Sequence, residues 1–271
     1  MLRAYSLYPR KRLGQNFLVD PAALGRIVAA ASLSPDDTVV EVGAGLGTLT
    51  RPLAQQAGRV LAVEVDDQLV EILHERLADL SNVELIHADV LKLPDLGLFN
   101  LGYKVVANLP YYITSAILRR FLEVEPRPGL MVVTVQSEVA ERVVAGPGKM
   151  SLLALSVQFY GRPRIVARIP AGAFYPSPRV DSAVLRIELD EQRGAALGEG
   201  VDEQTFFRVA RAGFSQKRKM LRNSLSGGLA LPPARVEETL ARVGVDPRRR
   251  AETLSLQEWA DVAGALVAVL N

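Results

Sequence analysis

Cysteine is absent from this chain of 271 residues, and its absence excludes disulfides, thiolate nucleophiles and sulfur-ligated metals. Histidine is scarce as well, because His74 and His87 are the only imidazoles, and we therefore expect no metal site. No apolar run reaches the roughly 18 residues that a membrane-spanning helix needs, and the N-terminal residues lack the apolar core of a signal peptide. These absences predict a soluble, cytoplasmic protein with no membrane partner.

Charge of neither sign is in large excess, because the chain has 32 Lys and Arg residues and 30 Asp and Glu residues, which give a net charge of +2. The basic residues are nevertheless clustered, and residues 208–222 contain several of them and no acid. Such clusters suit a nucleic-acid phosphate backbone, although a solvated charged face would give the same pattern. We predict phosphate contacts for the following residues: Arg10, Lys11, Arg12, Lys217, Arg218, Lys219 and Arg222.

Strands and helices alternate through the first half of the chain. Apolar runs predict strands at 38–42, 59–64, 83–87, 104–107 and 130–135, and apolar periodicity predicts helices at about 21–31, 48–57, 67–80, 113–122 and 138–144. This alternation is typical of right-handed β-α-β units in a mostly parallel sheet. Two further strands, 164–168 and 182–189, are expected as an antiparallel edge of that sheet.

The last third of the chain has a different pattern. Residues 190–202 are polar and glycine-rich, as in a linker, and helices are predicted at about 203–213, 217–225, 233–243 and 255–269. We therefore predict an α/β, Rossmann-like domain over residues 1–195 and a small all-helical domain over residues 200–271.

Three glycines follow the first of these strands: Gly43, Gly45 and Gly47. Glycine permits unusual dihedral angles and lets backbone N–H groups approach a ligand at a strand end; a packing turn is the alternative. The spacing is G-x-G-x-G, whereas dinucleotide-binding loops have G-x-G-x-x-G. This spacing disfavours NAD as the ligand, and it resembles the spacing in the glycine loop of S-adenosylmethionine (SAM) methyltransferases.

Acidic residues follow at the ends of the next two strands. Glu64 can accept hydrogen bonds from both hydroxyls of a ribose, but NAD proteins use similar geometry, so Glu64 does not discriminate between the two cofactors. Asp89 can reach the exocyclic amine of the adenine in SAM, or it can cap a local turn.

The fourth strand leaves the sheet through Asn108, Leu109, Pro110 and Tyr111. Proline cannot continue a central strand and restricts the residue before it to extended conformations, which makes a rigid exit loop. The Asn108 side-chain oxygen and the Leu109 carbonyl can accept the two hydrogens of an adenine N6 amine, while Tyr111 stacks on the base. The set suits N6 methylation by positioning and oriented dipoles; a capped turn with Tyr111 in the core is the alternative.

Eight segments, in order along the chain, carry a resemblance to a known family. They are GQNFL (14–18), EVGAGLGTLT (41–50), VEVD (63–66), HADVLK (87–92), NLPYYITSAIL (108–118), VQSEVAERV (135–143), FYPSPRVDSAV (174–184) and GFSQKRKMLRNSL (213–225). Together they resemble the ribosomal RNA adenine N6,N6-dimethyltransferases, and specifically the small-subunit (16S) enzyme, over nearly the whole chain.

The resemblance implies a SAM-dependent methyltransferase domain followed by a small helical RNA-binding domain. It implies dimethylation of N6 on two adjacent adenosines near the 3′ end of 16S rRNA, within an immature 30S subunit, with S-adenosylhomocysteine as the product. We expect the enzyme to be a monomer.

The same resemblance implies residue roles. SAM contacts are implied for Asn16, Leu18, Gly43, Gly45, Glu64, Asp89 and Asn108, with Asn16 offering hydrogen bonds and Leu18 apolar cover. The catalytic residues are implied to be Asn108, Leu109, Pro110 and Tyr111, together with Phe174, which would stack on the other face of a flipped adenine.

Other functions remain open from the sequence. A 23S rRNA adenine methyltransferase would share the catalytic loop, and only the resemblance of the segments at 174–184 and 213–225 favours the small-subunit enzyme. A DNA adenine methyltransferase is disfavoured because position 109 is leucine, where those enzymes usually have proline. A non-catalytic factor that holds immature small subunits is a third candidate, and that role is compatible with catalysis.

Overall fold

The computed structural model describes residue 10 and residues 14–93, 102–190 and 202–270. Within these ranges, none of the helices is long and apolar enough to cross a membrane. The strands are β1 (Phe17–Leu18), β2 (Thr38–Val42), β3 (Arg59–Glu64), β4 (Val83–His87), β5 (Lys104–Asn108), β6 (Leu130–Gln136), β7 (Gly161–Ile169), β8 (Phe174–Tyr175) and β9 (Ser182–Leu189).

Seven of these strands form one sheet in the order β4-β3-β2-β5-β6-β9-β7. The strands from β2 to β6 run parallel to their neighbours, and β9 runs antiparallel to β6. The central strands are apolar and buried along most of their length, as a sheet covered on both faces requires. The predicted Rossmann-like architecture with an antiparallel edge is confirmed.

Helix α1 (Pro21–Ala31) precedes the first strand of this sheet, and four helices follow its strands: α2 (Thr50–Ala54), α3 (Asp67–Arg76), α4 (Thr114–Glu123) and α5 (Ser137–Val143). Helix α1 begins where it was predicted, because the Asp20 carboxylate accepts a hydrogen bond from the Ala23 N–H and Pro21 fits the first turn. Its apolar stripe packs on β5 and β6. Ile27 is fully buried there, and such burial stabilises the fold by about 1.5–3 kcal/mol per large side chain.

The remaining helices are α6 (Leu152–Tyr160), α7 (Glu203–Phe214), α8 (Leu221–Leu229), α9 (Pro233–Arg242) and α10 (Leu256–Leu270). Helices α7 and α10 approach closely at Gly213, where an added Cβ would lie 2.2 Å from the ring of the fully buried Trp259. Only glycine fits at this point, and the neighbouring Phe214 ring stacks on the same indole at 5.2 Å.

The chain divides into two compact units, residues 1–140 with 162–189 and residues 141–161 with 190–271. The sequence placed residues 141–161 in the first domain and predicted no helix at 152–160, and here the structure corrects it. Helix α6 packs on α7, where Phe159 lies 4.6 Å from Phe206 and 5.0 Å from Phe207 between ring centroids. Because α6 is apolar almost all round, it lacks the one-sided periodicity that identifies a surface helix. The proposed boundary at 195–200 lies outside the described residues.

Candidate active site

A cavity opens at the carboxyl ends of β2, β3 and β5, and it encloses about 820 Å³ of empty space including its mouth. The carboxyl ends of the strands are where open α/β sheets bind ligands. Its lining comes from five segments: residues 14–17, residues 42, 43 and 45, residues 63–65 with 69, residues 88–90, and residues 108–113.

The glycines of the first loop divide into two roles. All three have positive φ: +74° at Gly43, +61° at Gly45 and +71° at Gly47. Gly43 and Gly45 line the cavity, and a Cβ on Gly43 would meet no atom within 4 Å. A Cβ on Gly47 would instead lie 3.1 Å from Leu77. Gly43 therefore keeps the cavity open, whereas Gly47 permits close packing on α3.

The Glu64 carboxylate is fixed at the cavity wall by backbone donors. Its Oε2 accepts from the Gly45 N–H at 2.8 Å, and its Oε1 accepts from the N–H groups of Val65 at 2.8 Å and Asp66 at 3.0 Å. Burial raises the pKa of Glu64, and these backbone hydrogen bonds oppose that rise. The group is thus an oriented acceptor at the end of β3, as a ribose-binding acid requires.

A second acid, Glu41, lies beneath this loop on β2 and is only 1% exposed. Burial raises the pKa of Glu41 to about 8, with the nearby Thr50 hydroxyl opposing the rise and the Glu64 carboxylate adding to it. Glu41 Oε2 has no hydrogen-bond partner within the part of the chain that the structure describes. Glu41 therefore carries a proton at neutral pH.

We expect the free energy of unfolding to fall as the pH rises from about 4.5 to about 8, since native Glu41 keeps a proton that the unfolded chain releases near 4.5. The contribution of Glu41 is fully present below pH 4.5 and is lost as the pH passes its folded pKa of about 8. A shift of this size corresponds to several kcal/mol, on the order of 5. Urea unfolding across this range should give a flatter profile for Glu41→Gln, and identical profiles for both proteins would contradict the assignment.

Asn108 ends β5 at the floor of the cavity, beside Thr134 of β6. Its Nδ2 donates to the Asn16 carbonyl at 3.1 Å, which orients the carboxamide and leaves its oxygen for another donor. The Leu109 N–H donates to the Thr134 carbonyl at 3.2 Å, and this bond holds the peptide that follows. Pro110 has φ −59° and ψ 128°, so the chain leaves β5 in the predicted extended conformation.

Two tyrosines continue this loop in a 3₁₀ turn, Tyr111–Ile113. The hydroxyl of Tyr111 hydrogen-bonds that of Ser182 at 2.7 Å, and burial raises the pKa of Tyr111. Tyr112 is 59% exposed at the mouth, and its ring lies against Gly14, where a Cβ would come within 3.0 Å of it. Both residues line the cavity.

The N-terminal segment borders the cavity through a polar network centred on Asp66. Asp66 binds the Arg10 guanidinium at 3.0 Å and the Gln15 amide at 2.9 Å, and the Arg10 N–H donates to Gln15 Oε1 at 2.7 Å. Arg10, for which a phosphate contact was predicted, is thus placed in an ion pair with an acid whose side chain is 2% exposed, and the phosphate contact stays a prediction. The predicted partners Lys11 and Arg12 lie outside the described residues.

Asp89 lines the cavity and caps a turn at the same time. Its Oδ1 accepts from the Leu91 N–H at 3.0 Å, while Oδ2 lies 3.8 Å from the Lys92 ammonium. Both roles that the sequence left open are therefore compatible, since one carboxylate oxygen serves the turn and the side chain is 37% exposed.

Leu18 and Phe174 are placed differently from the prediction. They pair across the short β1–β8 ladder, and both belong to the hydrophobic core, at 2% and 4% exposure. Side chains alternate along a strand, so Phe17 lines the cavity and Tyr175 is 55% exposed instead. The Leu18 side chain is thus core and not cofactor cover, and Phe174 offers no open ring face to a base.

The predicted basic run lies in the second unit. Helix α8 begins at Leu221, four residues later than predicted. Lys217, Arg218 and Lys219 therefore lie in the turn before the helix, and all three are exposed to solvent. Arg222 lies within α8 and forms an ion pair with Glu237. The turn therefore presents three cations, whereas the charge of Arg222 is partly neutralised.

Sequence reasoning missed several residues of the cavity, among them Gln15, Phe17 and Tyr112. Gln15 and Phe17 lie within the segment 14–18, but no local pattern tells which of its side chains faces a ligand. Among the described residues, no group of three His, Asp or Glu side chains is arranged to hold a metal ion.

Comparison with known proteins shows the family of the chain. A family model described as ribosomal RNA adenine dimethylase matches residues 8–267. The chain belongs to this family. Among its relatives, ribosomal RNA small subunit methyltransferase A of Dehalococcoides mccartyi (strain ATCC BAA-2266 / KCTC 15142 / 195) is 51% identical over 261 residues, covering 96% of this chain and 89% of the relative. The protein of the same name from Moorella thermoacetica is 44% identical, covering 98% and 95%.

Solved structures resemble this chain over most of its length. A dimethyladenosine transferase from Plasmodium falciparum superposes with a TM-score of 0.80 at 23% identity, covering 93% of this chain and 98% of that one. The 23S rRNA methyltransferase ErmE superposes with a TM-score of 0.75 at 29% identity, covering 93% and 100%. The fold is therefore shared with a dimethyladenosine transferase and with a 23S rRNA methyltransferase.

Proposed function

We propose that this chain is a SAM-dependent enzyme that dimethylates N6 of two adjacent adenosines near the 3′ end of 16S rRNA. The observation that carries the proposal is the meeting of two groups of residues in one cavity. Gly43, Gly45 and Glu64 line the cavity with groups that suit a cofactor. Asn108 and Leu109 supply two hydrogen-bond acceptors beside them. Relatives that are 51% and 44% identical bear the name ribosomal RNA small subunit methyltransferase A.

The cavity fits SAM by the chemistry of its lining. Glu64, held by three backbone donors, is an acceptor for ribose hydroxyls, and Asp89 keeps a carboxylate oxygen for the adenine amine. The open space beside Gly43 leaves room for the ligand, where any side chain would intrude. When bound, SAM supplies a methyl group activated by a sulfonium.

The target amine would be gripped by the exit loop of β5. An adenine N6 lone pair is delocalised into its ring and is a poor nucleophile. Hydrogen bonds from the two N6 hydrogens to Asn108 Oδ1 and the Leu109 carbonyl favour a tetrahedral nitrogen and localise that lone pair. Tyr111 stacks on the base, and no general base is needed first because the N6 proton becomes acidic only after transfer. Catalysis then consists of positioning and oriented dipoles.

The small-subunit substrate is favoured over the large-subunit one by sequence and not by fold. ErmE shares the fold at 29% identity, whereas the relatives named for the small subunit reach 51%. We place the reaction in the bacterial cytoplasm, on an immature 30S subunit, with the enzyme acting as a monomer.

A direct test incubates the protein with tritiated SAM and undermethylated 30S subunits. We expect four methyl groups per subunit, two on each of the adjacent adenosines, and none on 50S subunits. Labelling of 23S rRNA instead would support the large-subunit alternative. Tight subunit binding without any labelling would leave only the assembly-factor role.

The exposed turn at 217–219 is proposed to bind RNA phosphates. Changing Lys217, Arg218 and Lys219 to glutamate should weaken 30S binding at least about tenfold. The slope of log K against log salt should fall in magnitude by about 2, because each lost phosphate contact lowers the number of counterions released on binding. Filter binding across a salt series measures both quantities. SAM binding should be unchanged.

A charge-matched control separates this local effect from the change in net charge. Arg26, Lys149 and Arg242 are exposed cations outside the turn, and their combined change to glutamate alters the net charge equally. The control should retain most of the salt slope. Equal losses in both triple variants would argue that net charge, and not the turn, governs binding.

A further inference from the structure

The Val-Asp-Ser segment at 180–182 has no part in the reaction described so far, although it belongs to one of the family-like motifs. We propose that Ser182 is a positioning residue for methyl transfer, which holds the Tyr111 ring at the cavity through a hydrogen bond between the two hydroxyls. The inference rests on the proposed role of the loop that contains Asn108 and Tyr111.

Sheet order brings these residues together. Strand β6 lies between β5 and β9, with Asn108 beside Thr134 and Ser182 beside Gln136. The end of β5 and the start of β9 therefore lie at the same end of the sheet, about 10 Å apart across two strand spacings. Tyr111, just beyond β5, spans this gap, and its hydroxyl lies 2.7 Å from Ser182 Oγ.

The anchor at Ser182 is rigid. Ser182 is 0% exposed, and the residue before it is bound on two sides. The Asp181 carbonyl accepts from the Ser137 N–H at 3.0 Å, and Asp181 Oδ1 accepts from the Ala171 N–H at 2.9 Å. A buried hydroxyl without a partner is costly, so the bond to Tyr111 is expected to persist while substrate enters and leaves.

A hydroxyl anchor fixes the ring at the end farthest from the backbone. Without it, the Tyr111 ring could rotate about its side-chain torsions, and a stacking surface beside the N6 acceptors would be lost part of the time. Burial raises the pKa of Tyr111, the Ser182 hydrogen bond opposes this and Asp181 adds to it. The phenol therefore stays protonated at neutral pH and keeps a proton to share with Ser182.

Two substitutions remove the same hydrogen bond from opposite sides, Ser182→Ala and Tyr111→Phe. Each should lower kcat on undermethylated 30S subunits by about five- to tenfold, as loss of one orienting hydrogen bond suggests, with the Kd for SAM unchanged. The double variant should be no slower than the slower single variant. A kcat within twofold of wild type for Ser182→Ala, or losses that multiply in the double variant, would overturn the proposal.

Controls separate positioning from stability and from the proposed function itself. Ser156→Ala removes another buried hydroxyl, in the second unit, and should leave kcat unchanged. If Ser182→Ala folds poorly, Tyr111→Phe decides, since it only removes a hydroxyl from a residue that is not fully buried. Full activity of Asn108→Ala would instead refute the catalytic loop, a result distinct from a silent Ser182→Ala.

Discussion

Replacing Asn108 with alanine is expected to lower kcat for methyl transfer by about a hundred- to a thousandfold, the range found when one preorganised dipole is removed from an active site. The side chain ends β5 with its Nδ2 bound to the Asn16 carbonyl, so its oxygen is already oriented before substrate arrives. Alanine removes this acceptor and leaves the Leu109 carbonyl alone to hold the amine. The measurement is single-turnover transfer of tritiated methyl groups to undermethylated 30S subunits.

A second substitution at this position tests the orientation as well as the acceptor. Asn108→Asp keeps one oxygen but places the other against the Asn16 carbonyl, where repulsion replaces the 3.1 Å hydrogen bond. Its loss of rate should be intermediate when 30S binding is intact. Transfer by Asn108→Ala within threefold of the wild-type rate would show that this carboxamide does not activate N6.

Replacing Glu64 with glutamine is expected to raise the Kd for SAM about a hundredfold. Two hydrogen bonds from ribose hydroxyls to a carboxylate are each worth about 1.5–3 kcal/mol, and every 1.4 kcal/mol or so is tenfold in affinity. The glutamine amide also turns a donor toward one of the backbone N–H groups that Glu64 now accepts. Isothermal titration with SAM measures the effect.

Glu84→Gln is the matched control for this change. Glu84 lies on the adjacent strand β4, paired with Arg59 and with its side chain 48% exposed. Surface pairs of this kind contribute little to stability, so both SAM affinity and folding should be unaffected. If Glu64→Gln binds SAM as the control does, with an unchanged unfolding midpoint, the cofactor assignment of Glu64 fails.

The parallel sheet and the position of its ligand cavity were predictable because they depend on local patterns. Apolar runs identified each central strand, and a loop at a strand's carboxyl end lies at the ligand-binding edge whatever the rest of the fold does. Gly43, Glu64 and Asn108 were therefore brought into one cavity as expected. Residues such as these are predictable from sequence since the strand that precedes them fixes their location.

The features that the sequence did not predict concern residues whose surroundings come from distant parts of the chain. Phe174 is buried because a two-residue ladder with β1 decides which side of β8 faces the core. Arg10 is bound to Asp66, which is 56 residues away. No local sequence pattern predicts the β1–β8 pairing or the Asp66 partner of Arg10. The same holds for α6, whose packing partners lie beyond residue 200.

The central claim is that two acceptors at the end of β5 hold the adenine amine. A crystal structure of the protein with adenosine and S-adenosylhomocysteine tests it most directly. The account predicts N6 at about 3 Å from both Asn108 Oδ1 and the Leu109 carbonyl, within hydrogen-bonding range, and the Tyr111 ring against the base. An adenine bound with N6 away from both oxygens, or with Asn108 Nδ2 turned toward it, would contradict the account.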